Sequence, residues 1–257
     1  MKVLGVIPAR YASTRFPGKP LIDIQGKSMI QRVYEQAMKA KSLSKVIVAT
    51  DDERIFNHVK SFNGEVMMTS DGHQSGTDRC AEVINQLSSV AFDAVVNIQG
   101  DEPFINPSQI DSVVEVLKKE QFMIATLVKR IHITTNEMQA VIARDEVNWV
   151  IHNPNIVKAV FSSEGKALYF SRSPIPYLRN IPAEEWLSKG EFYKHIGLYA
   201  YKSSVLREIA RLPPSRLEQL ESLEQLRWLE NGYAIGIAET DLETIGIDTP
   251  EDLLKIK

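Results

Sequence analysis

The chain has 257 residues, 44% of them hydrophobic and 25% charged, enough apolar material for one large core or two closely joined lobes. Its 30 Lys and Arg against 33 Asp and Glu leave a net charge of −3, so no global basic field draws it to nucleic acid or an anionic membrane, and an anionic ligand must be met by local basic clusters. One cysteine, Cys80, excludes an internal disulfide framework and fits a reducing compartment; five histidines without HxH or HxxxH spacing argue against zinc. No stretch approaches the roughly 18 apolar residues that span a bilayer. The opening MKVLGVIPAR is too soon interrupted for a signal peptide. The expected address is the cytoplasm, with no membrane and no nucleic-acid partner.

In chain order, Val3 to Ile7 is a β-branched apolar run stopped by Pro8, the pattern of a buried strand. Gly18 and Pro20 hold the next dozen residues out of regular structure, and a helix follows through Ile30, Val33, Tyr34 and Ala37. Lys45 to Ala49 reads as a second strand, and Thr50-Asp51-Asp52-Glu53 offers the next helix a cap oxygen and an acidic first turn. Val66 to Thr69 is a third strand, Thr77 to Leu87 a helix that Thr77 itself could cap, and Ala94 to Ile98 a fourth strand. Asn106-Pro107 opens a helix with a cap residue and proline at its first position.

This alternation predicts an α/β fold with a mostly parallel sheet, helices on both faces. From about Phe122 the pattern changes to strands at Met123 to Lys129, Val157 to Phe161, Ala167 to Phe170 and His195 to Tyr201, with a hairpin turn at Ser163-Glu164-Gly165. The second half is therefore expected to be a mixed or antiparallel elaboration of the same sheet. Ala234 to Thr240 reads as a late strand, and Thr249-Pro250-Glu251-Asp252 as the start of a final helix with Glu251 and Asp252 as first-turn dipole partners. With no repeat, low-complexity tract or linker, residues 1–257 read as a single domain: 1–121, 122–233 and 234–257.

In an open α/β sheet ligands bind outside the carboxyl ends of the strands, where the loop PARYASTRFPGKP leaves the first strand. Arg10, Arg15 and Lys19 stand in it among Ser13, Thr14 and Gly18, so small residues let backbone N–H groups approach a polyphosphate that the cations neutralise. It is neither GxxxxGK[ST] nor GxGxxG. On these residues alone, a phosphate cradle and a solvated basic loop both fit. Asp101 follows the fourth strand where the sheet presents its active edge; Glu102 beside it should point away, since Pro103 fixes the turn. Asp248, just before Thr249-Pro250, reads most simply as a turn or cap residue. Cys80 reads as a small buried helix residue. Gln99 adjoins Asp101, Arg172 ends a strand, and His195 and Tyr199, four apart, share a strand face. Glu224 and Gln225 lie in what reads as one long helix with Glu218, Glu221 and Arg227.

IPARYASTRFPGKPL at residues 7–21 resembles the signature loop of the cytidylyltransferases that activate 3-deoxy-manno-octulosonate (Kdo) with CTP. The likeness continues in order through ATDDERI, HQSGTDR, NIQGDEP, ALYFSR, KHIGLYAY, SLEQLRWLENG and GIDTPEDL, over almost the whole chain. The sialic-acid cytidylyltransferases share the fold and a related first loop, but theirs runs on with further Gly and Lys where this chain has Tyr11, Ala12 and Ser13. Phe16 stands where the family often has leucine, and the stretch from Ile175 to Glu191 matches no block and reads as a lid or an oligomer contact.

The resemblance implies a magnesium-dependent transferase that joins CMP from CTP to the anomeric hydroxyl of Kdo, giving CMP-Kdo for lipopolysaccharide biosynthesis, from a homodimer. It implies nucleotide contacts at Ala9, Arg10, Ser13, Arg15, Lys19, Ser75, Gly76 and Arg79, with Lys19, Arg15 and Asp101 in the chemistry. Asp101 and Asp248 become the Mg²⁺ pair, and Gln99, Arg172, His195, Tyr199, Glu224 and Gln225 the sugar contacts, Arg172 toward its carboxylate. A nucleotide-binding regulator that had lost catalysis would be expected to lack Lys19, Asp101 or Asp248, and all three are present.

Overall fold

Alternating side chains on each strand go to opposite faces, and the computed structural model, which describes residues 1–12, 16–132, 150–243 and 246–255, shows both faces covered. The strands are β1 (Val3–Ala9), β2 (Asp23–Ile24), β3 (Lys27–Ser28), β4 (Lys45–Thr50), β5 (Val66–Met68), β6 (Ala94–Asn97), β7 (Ile124–Arg130), β8 (Lys158–Phe161), β9 (Ala167–Ser171), β10 (Tyr193–Lys202) and β11 (Ile235–Glu239). The helices are α1 (Met29–Ala37), α2 (Glu53–Ser61), α3 (Gly76–Gln86), α4 (Pro107–Leu117), α5 (Trp186–Lys189), α6 (Ser203–Ile209), α7 (Arg216–Glu221) and α8 (Glu224–Glu230). On one face Val3 and Ile7 of β1 and Val46 and Val48 of β4 pack on α1 and α4; on the other Leu4, Val6, Ile47 and Ala49 pack against α3. Such two-sided burial is what continuous apolar strands require.

The large sheet runs β11-β7-β10-β6-β1-β4-β5, with β8 paired to β10 and β9 to β8. β1 pairs in parallel with β4 and β6, β4 with β5, and β11 with β7. β10 runs antiparallel to β6, β7 and β8. The elaboration expected after Phe122 thus joins the same sheet. The carboxyl ends of β1, β4, β6, β7 and β11 share one edge with the start of β10. The Ser163–Gly165 turn closes β8 onto β9, with Gly165 at φ 75°.

Local signals explain most helix starts. Ser28 and Asp52 cap α1 and α2, and Asn106 caps α4 in a reciprocal box with Gln109, Pro107 following. Three expectations are corrected. Ser75, not Thr77, caps α3, in a box with Asp78. The single helix expected around Glu224 is two, α7 and α8, broken at Ser222, which adopts φ 50°. The closing helix is a 3-10 turn, Pro250–Lys255, and Asp252 does more than face a dipole: its Oδ2 accepts from the backbone N–H groups of Asp248 and Thr249. Between residues 175 and 191, Trp186 of α5 stacks on Phe192 over a small cluster with Ile151, Leu178 and Ile181.

Gly236 marks the tightest fit away from the sheet's ligand edge. A Cβ there would lie 2.5 Å from Val116 Cγ1 and 2.6 Å from the Phe122 ring, both held in a close-packed core. Gly236→Ala is expected to cost about 1–3 kcal/mol, lowering the melting temperature by roughly 2–4 °C per kcal/mol. An unchanged melting curve would contradict this packing.

Candidate active site at the carboxyl edge of the sheet

Gly18 donates its N–H to Tyr11 O at 3.0 Å, closing the first loop into a ring, and its φ of 73° suits a residue without Cβ. The Tyr11 ring backs this pinch and stacks beneath the Arg54 guanidinium, 3.3 Å from ring centre to Cζ. Arg54 is itself held by Asp52. Arg10 reaches from the end of β1 to the carbonyl of His73, tying the first loop to the segment before α3. Ala9 is the buried last residue of β1. Ser13, Thr14 and Arg15 lie outside the described residues.

Lys19 begins a 3-10 turn, and its ammonium joins two distant parts of the chain. Nζ donates to Asp101 Oδ2 at 2.8 Å and to Asp248 Oδ1 at 3.1 Å. Asp101 arrives there because the chain turns just after β6 at Gly100, where a Cβ would stand 2.6 Å from the carbonyl oxygen of Pro8. Asp248 arrives because Ile247 N–H donates to Asp101 O at 3.0 Å. Glu102 is half-buried; its buried Oε2 has no hydrogen-bond partner, and burial, then the Asp101 charge, pushes its carboxyl up to about 7. Among the described residues no three His, Cys, Asp or Glu side chains gather as a metal cluster. Two carboxylates at a solvent-accessible edge, with an orphaned acidic oxygen behind them, nevertheless fit Mg²⁺, which takes one or two carboxylates and completes its shell with water and phosphate oxygens.

The segment before α3 places Ser75 and Gly76 at the end of β6, where a Cβ on Gly76 would meet the Asn97 amide at 3.2 Å. Arg79 corrects the expectation that its side chain faces a nucleoside. It is fully buried, its Nη2 pairs with Asp51 Oδ2 at 2.8 Å, and its Nη1 donates to the Thr69 hydroxyl. It locks α3 to the ends of β4 and β5. Cys80 is buried as expected, and burial drives its thiol pKa far up, so it is no nucleophile.

A second group assembles around β10. Its register against β7 shifts between Ile196 and Tyr199, a bulge at Gly197 and Leu198. Gln99 holds the bulge, donating to Gly197 O at 2.8 Å. Thr126 holds it from β7: its hydroxyl lies 2.9 Å from Leu198 O and 3.2 Å from Ile196 O. His195 and Tyr199 keep to one face, ring centres 5.4 Å apart. His195 Nε2 is 2.9 Å from the same Thr126 hydroxyl. That hydroxyl's single proton serves a carbonyl, so it accepts from Nε2–H and leaves Nδ1 of a neutral imidazole as an acceptor.

Glu224 opens α8, and its Oε2 accepts from the Thr77 hydroxyl at 2.8 Å. Burial raises its carboxyl pKa, while hydrogen bonds from Thr77 and Ser75 oppose the shift. Gln225 is buried beside it. Arg172 is another correction, since it does not stand open for a carboxylate. Its Nε donates to Glu221 O at 2.6 Å, Nη1 to Pro154 O at 2.8 Å and Nη2 to Ser222 O at 3.2 Å. It braces the break between α7 and α8. Sequence reasoning missed Thr126, Thr77 and the Tyr11–Arg54 stack, whose partners lie 43 to 147 residues away; only the proximity of Thr77 to the HQSG segment hinted at any of them.

Three comparisons bear on this edge. A family model described as cytidylyltransferase matches residues 4–239. Proteins named 3-deoxy-manno-octulosonate cytidylyltransferase from Parabacteroides distasonis and Bacteroides thetaiotaomicron are each 55% identical, covering 99% and 98% of this chain and 96% of each relative. A solved structure of CMP:2-keto-3-deoxy-manno-octonic acid synthetase complexed with CTP is 42% identical, with a TM-score of 0.86 over 100% of this chain and 97% of the other. A cytidylyltransferase from Leptospira borgpetersenii, 16% identical with a TM-score of 0.58, shares the fold.

Burial pushes the His195 imidazole pKa down to about 3 from its ordinary 6.5. The unfolded chain takes up a proton below pH 6.5 that the folded chain refuses, so His195 removes stability as pH falls from 6.5 toward 3. His195→Gln is therefore expected to lose less urea-unfolding midpoint than the parent between pH 7 and pH 4.5. Parallel losses would contradict a buried neutral imidazole.

Proposed function

The chain belongs to the cytidylyltransferase family and is a nucleotidyltransferase, and from that premise we propose that it transfers CMP from CTP to the anomeric hydroxyl of Kdo, releasing pyrophosphate. The observation that carries the reading is Lys19 held between Asp101 and Asp248 at the carboxyl edge of the sheet. Relatives over nearly the full length carry the Kdo cytidylyltransferase name, and a structure 42% identical was solved with CTP. The product serves lipopolysaccharide biosynthesis in this reading. In this reading the protein works in the cytoplasm as a homodimer, and its one free cysteine suits a reducing compartment.

The sugar hydroxyl oxygen forms a bond to the α-phosphorus of CTP in line with the β-phosphate oxygen. The bond from that phosphorus to the bridging oxygen breaks, pyrophosphate leaves, and the hydroxyl proton passes to solvent. No covalent enzyme intermediate is needed. Asp101 and Asp248 are the residues that would hold Mg²⁺, which supplies charge neutralisation on the phosphates and acidifies the attacking hydroxyl. Lys19 turns from its carboxylates toward the phosphates, where its charge opposes theirs, and Arg10 extends the cradle, with Arg15 and Ser13 assigned to the same phosphates by the resemblance alone. Ser75 and Gly76 border the nucleoside, in a segment short enough to disfavour a purine by exclusion.

Gln99, His195, Tyr199, Glu224 and Gln225 face the sugar hydroxyls, His195 as an acceptor through Nδ1. Arg172 serves this subsite from behind by fixing the start of α8. Asp101→Asn should lower the rate of pyrophosphate release on the order of a hundredfold or more, with an unchanged melting curve, and chelation of divalent ions should abolish the parent's activity until Mg²⁺ is returned. Near-normal turnover in the variant would remove Asp101 from the chemistry.

A further inference from the structure

Thr77 directly follows Ser75 and Gly76, which border the nucleoside in the proposed reading, and is only 2% exposed. Its backbone belongs to the first turn of α3, yet its hydroxyl crosses to a different element, donating to Glu224 Oε2 across 147 residues of sequence. A hydrogen bond from a hydroxyl to a carboxylate fixes which way the carboxylate faces. The other side of Glu224 offers little competition. Tyr199, Tyr201 and Trp228 pack there edge to face, with ring centres 5.1 and 5.5 Å from the indole, and their Oη, Oη and Nε1 atoms are buried without a hydrogen-bond partner. Burial, then the charge of Glu224, raises both tyrosine hydroxyls well above their ordinary pKa, so they stay neutral in the wall facing that carboxylate. With that wall uncommitted, the carboxylate takes its orientation from the hydroxyls at the start of α3, Thr77 first and Ser75 after it. The α8 end of Glu224 is already braced by Arg172 through the carbonyls of Glu221 and Ser222, so backbone and side chain are set from opposite sides.

We infer that Thr77 is a positioning residue: it aims the Glu224 carboxylate at the acid sugar and ties that aim to the turn bordering the nucleoside. The inference rests on the proposed assignment of Glu224 to the sugar subsite. A hydrogen bond to a charged group is worth about 1.5–3 kcal/mol, and each 1.4 kcal/mol is tenfold in binding. Steady-state kinetics with each substrate varied should show Thr77→Val raising the KM for the sugar about tenfold or more while the KM for CTP holds. Thr77→Ser, which keeps the hydroxyl, should restore the parent value. Adding Thr77→Val to Glu224→Gln should raise the sugar KM no further, because the two act through one contact.

Melting curves on every variant detect a structural role. Equal losses for CTP and sugar together with lost stability, or failure of serine to rescue, would overturn the inference. A raised sugar KM in Glu224→Gln with a normal one in Thr77→Val would overturn it while leaving the sugar subsite standing. An unchanged sugar KM in Glu224→Gln would overturn the subsite assignment itself, and this inference with it.

Discussion

One ammonium group organises the ligand edge of the sheet. Lys19, 82 residues from Asp101 and 229 from Asp248, keeps two carboxylates together that would repel each other in its absence. Both acids are partly open to solvent, so the contact is screened and exchangeable, not a sealed ion pair. That suits the proposed reaction, in which Lys19 leaves the carboxylates to a metal and turns to a polyphosphate. The backbone enforces the convergence independently: the bond from Ile247 to Asp101 sets the two acids side by side, and Asp252 fixes the turn that carries Asp248. Lys19 can therefore turn away without the carboxylates drifting apart.

The group around β10, to which the sugar is assigned in the proposed function, depends on a different device, a bulge in the strand. An antiparallel strand inserted between parallel β6 and β7 brings its amino-terminal half to the active edge. The bulge at Gly197 and Leu198 is held from β6's end by Gln99 and from β7 by Thr126, and Thr126 also fixes the imidazole of His195. Strand pairing, the bulge and the His195 tautomer are thus one hydrogen-bonded unit. If the proposed sugar subsite lies here, that rigidity suits selection among closely similar sugars, since acceptors that cannot reorient leave a mismatched hydroxyl unpaired.

Features governed by near neighbours were legible in the amino-acid order. The apolar run before Pro8, the Asn106-Pro107 start of α4 and the Asp52 cap of α2 all depend on residues a few positions away. Asp101 was legible for a topological reason, because a carboxylate just past a buried parallel strand must emerge at the ligand edge. Arg79 was misread because the resemblance set it against the nucleotide, whereas its partner Asp51 lies 28 residues away and makes burial tolerable. Arg172 was misread for the same reason: its carbonyl partners at Glu221 and Ser222 are 49 and 50 residues distant. The break between α7 and α8 had no local sign, since Ser222 adopts a left-handed conformation usually marked by Gly or Asn. The eight motif blocks conveyed the family, but no residue type in them foretold that Thr77 would reach Glu224.

The account stands or falls on the reaction at this edge. Pyrophosphate release should be measured with Mg²⁺ and each nucleoside triphosphate in turn, against Kdo, its 8-amino analogue and a sialic acid. The account predicts release with CTP and an eight-carbon acid sugar, with a CMP-sugar as the second product and far lower kcat/KM for ATP and GTP. Equal use of a purine triphosphate, or no release with either eight-carbon acid, would contradict it.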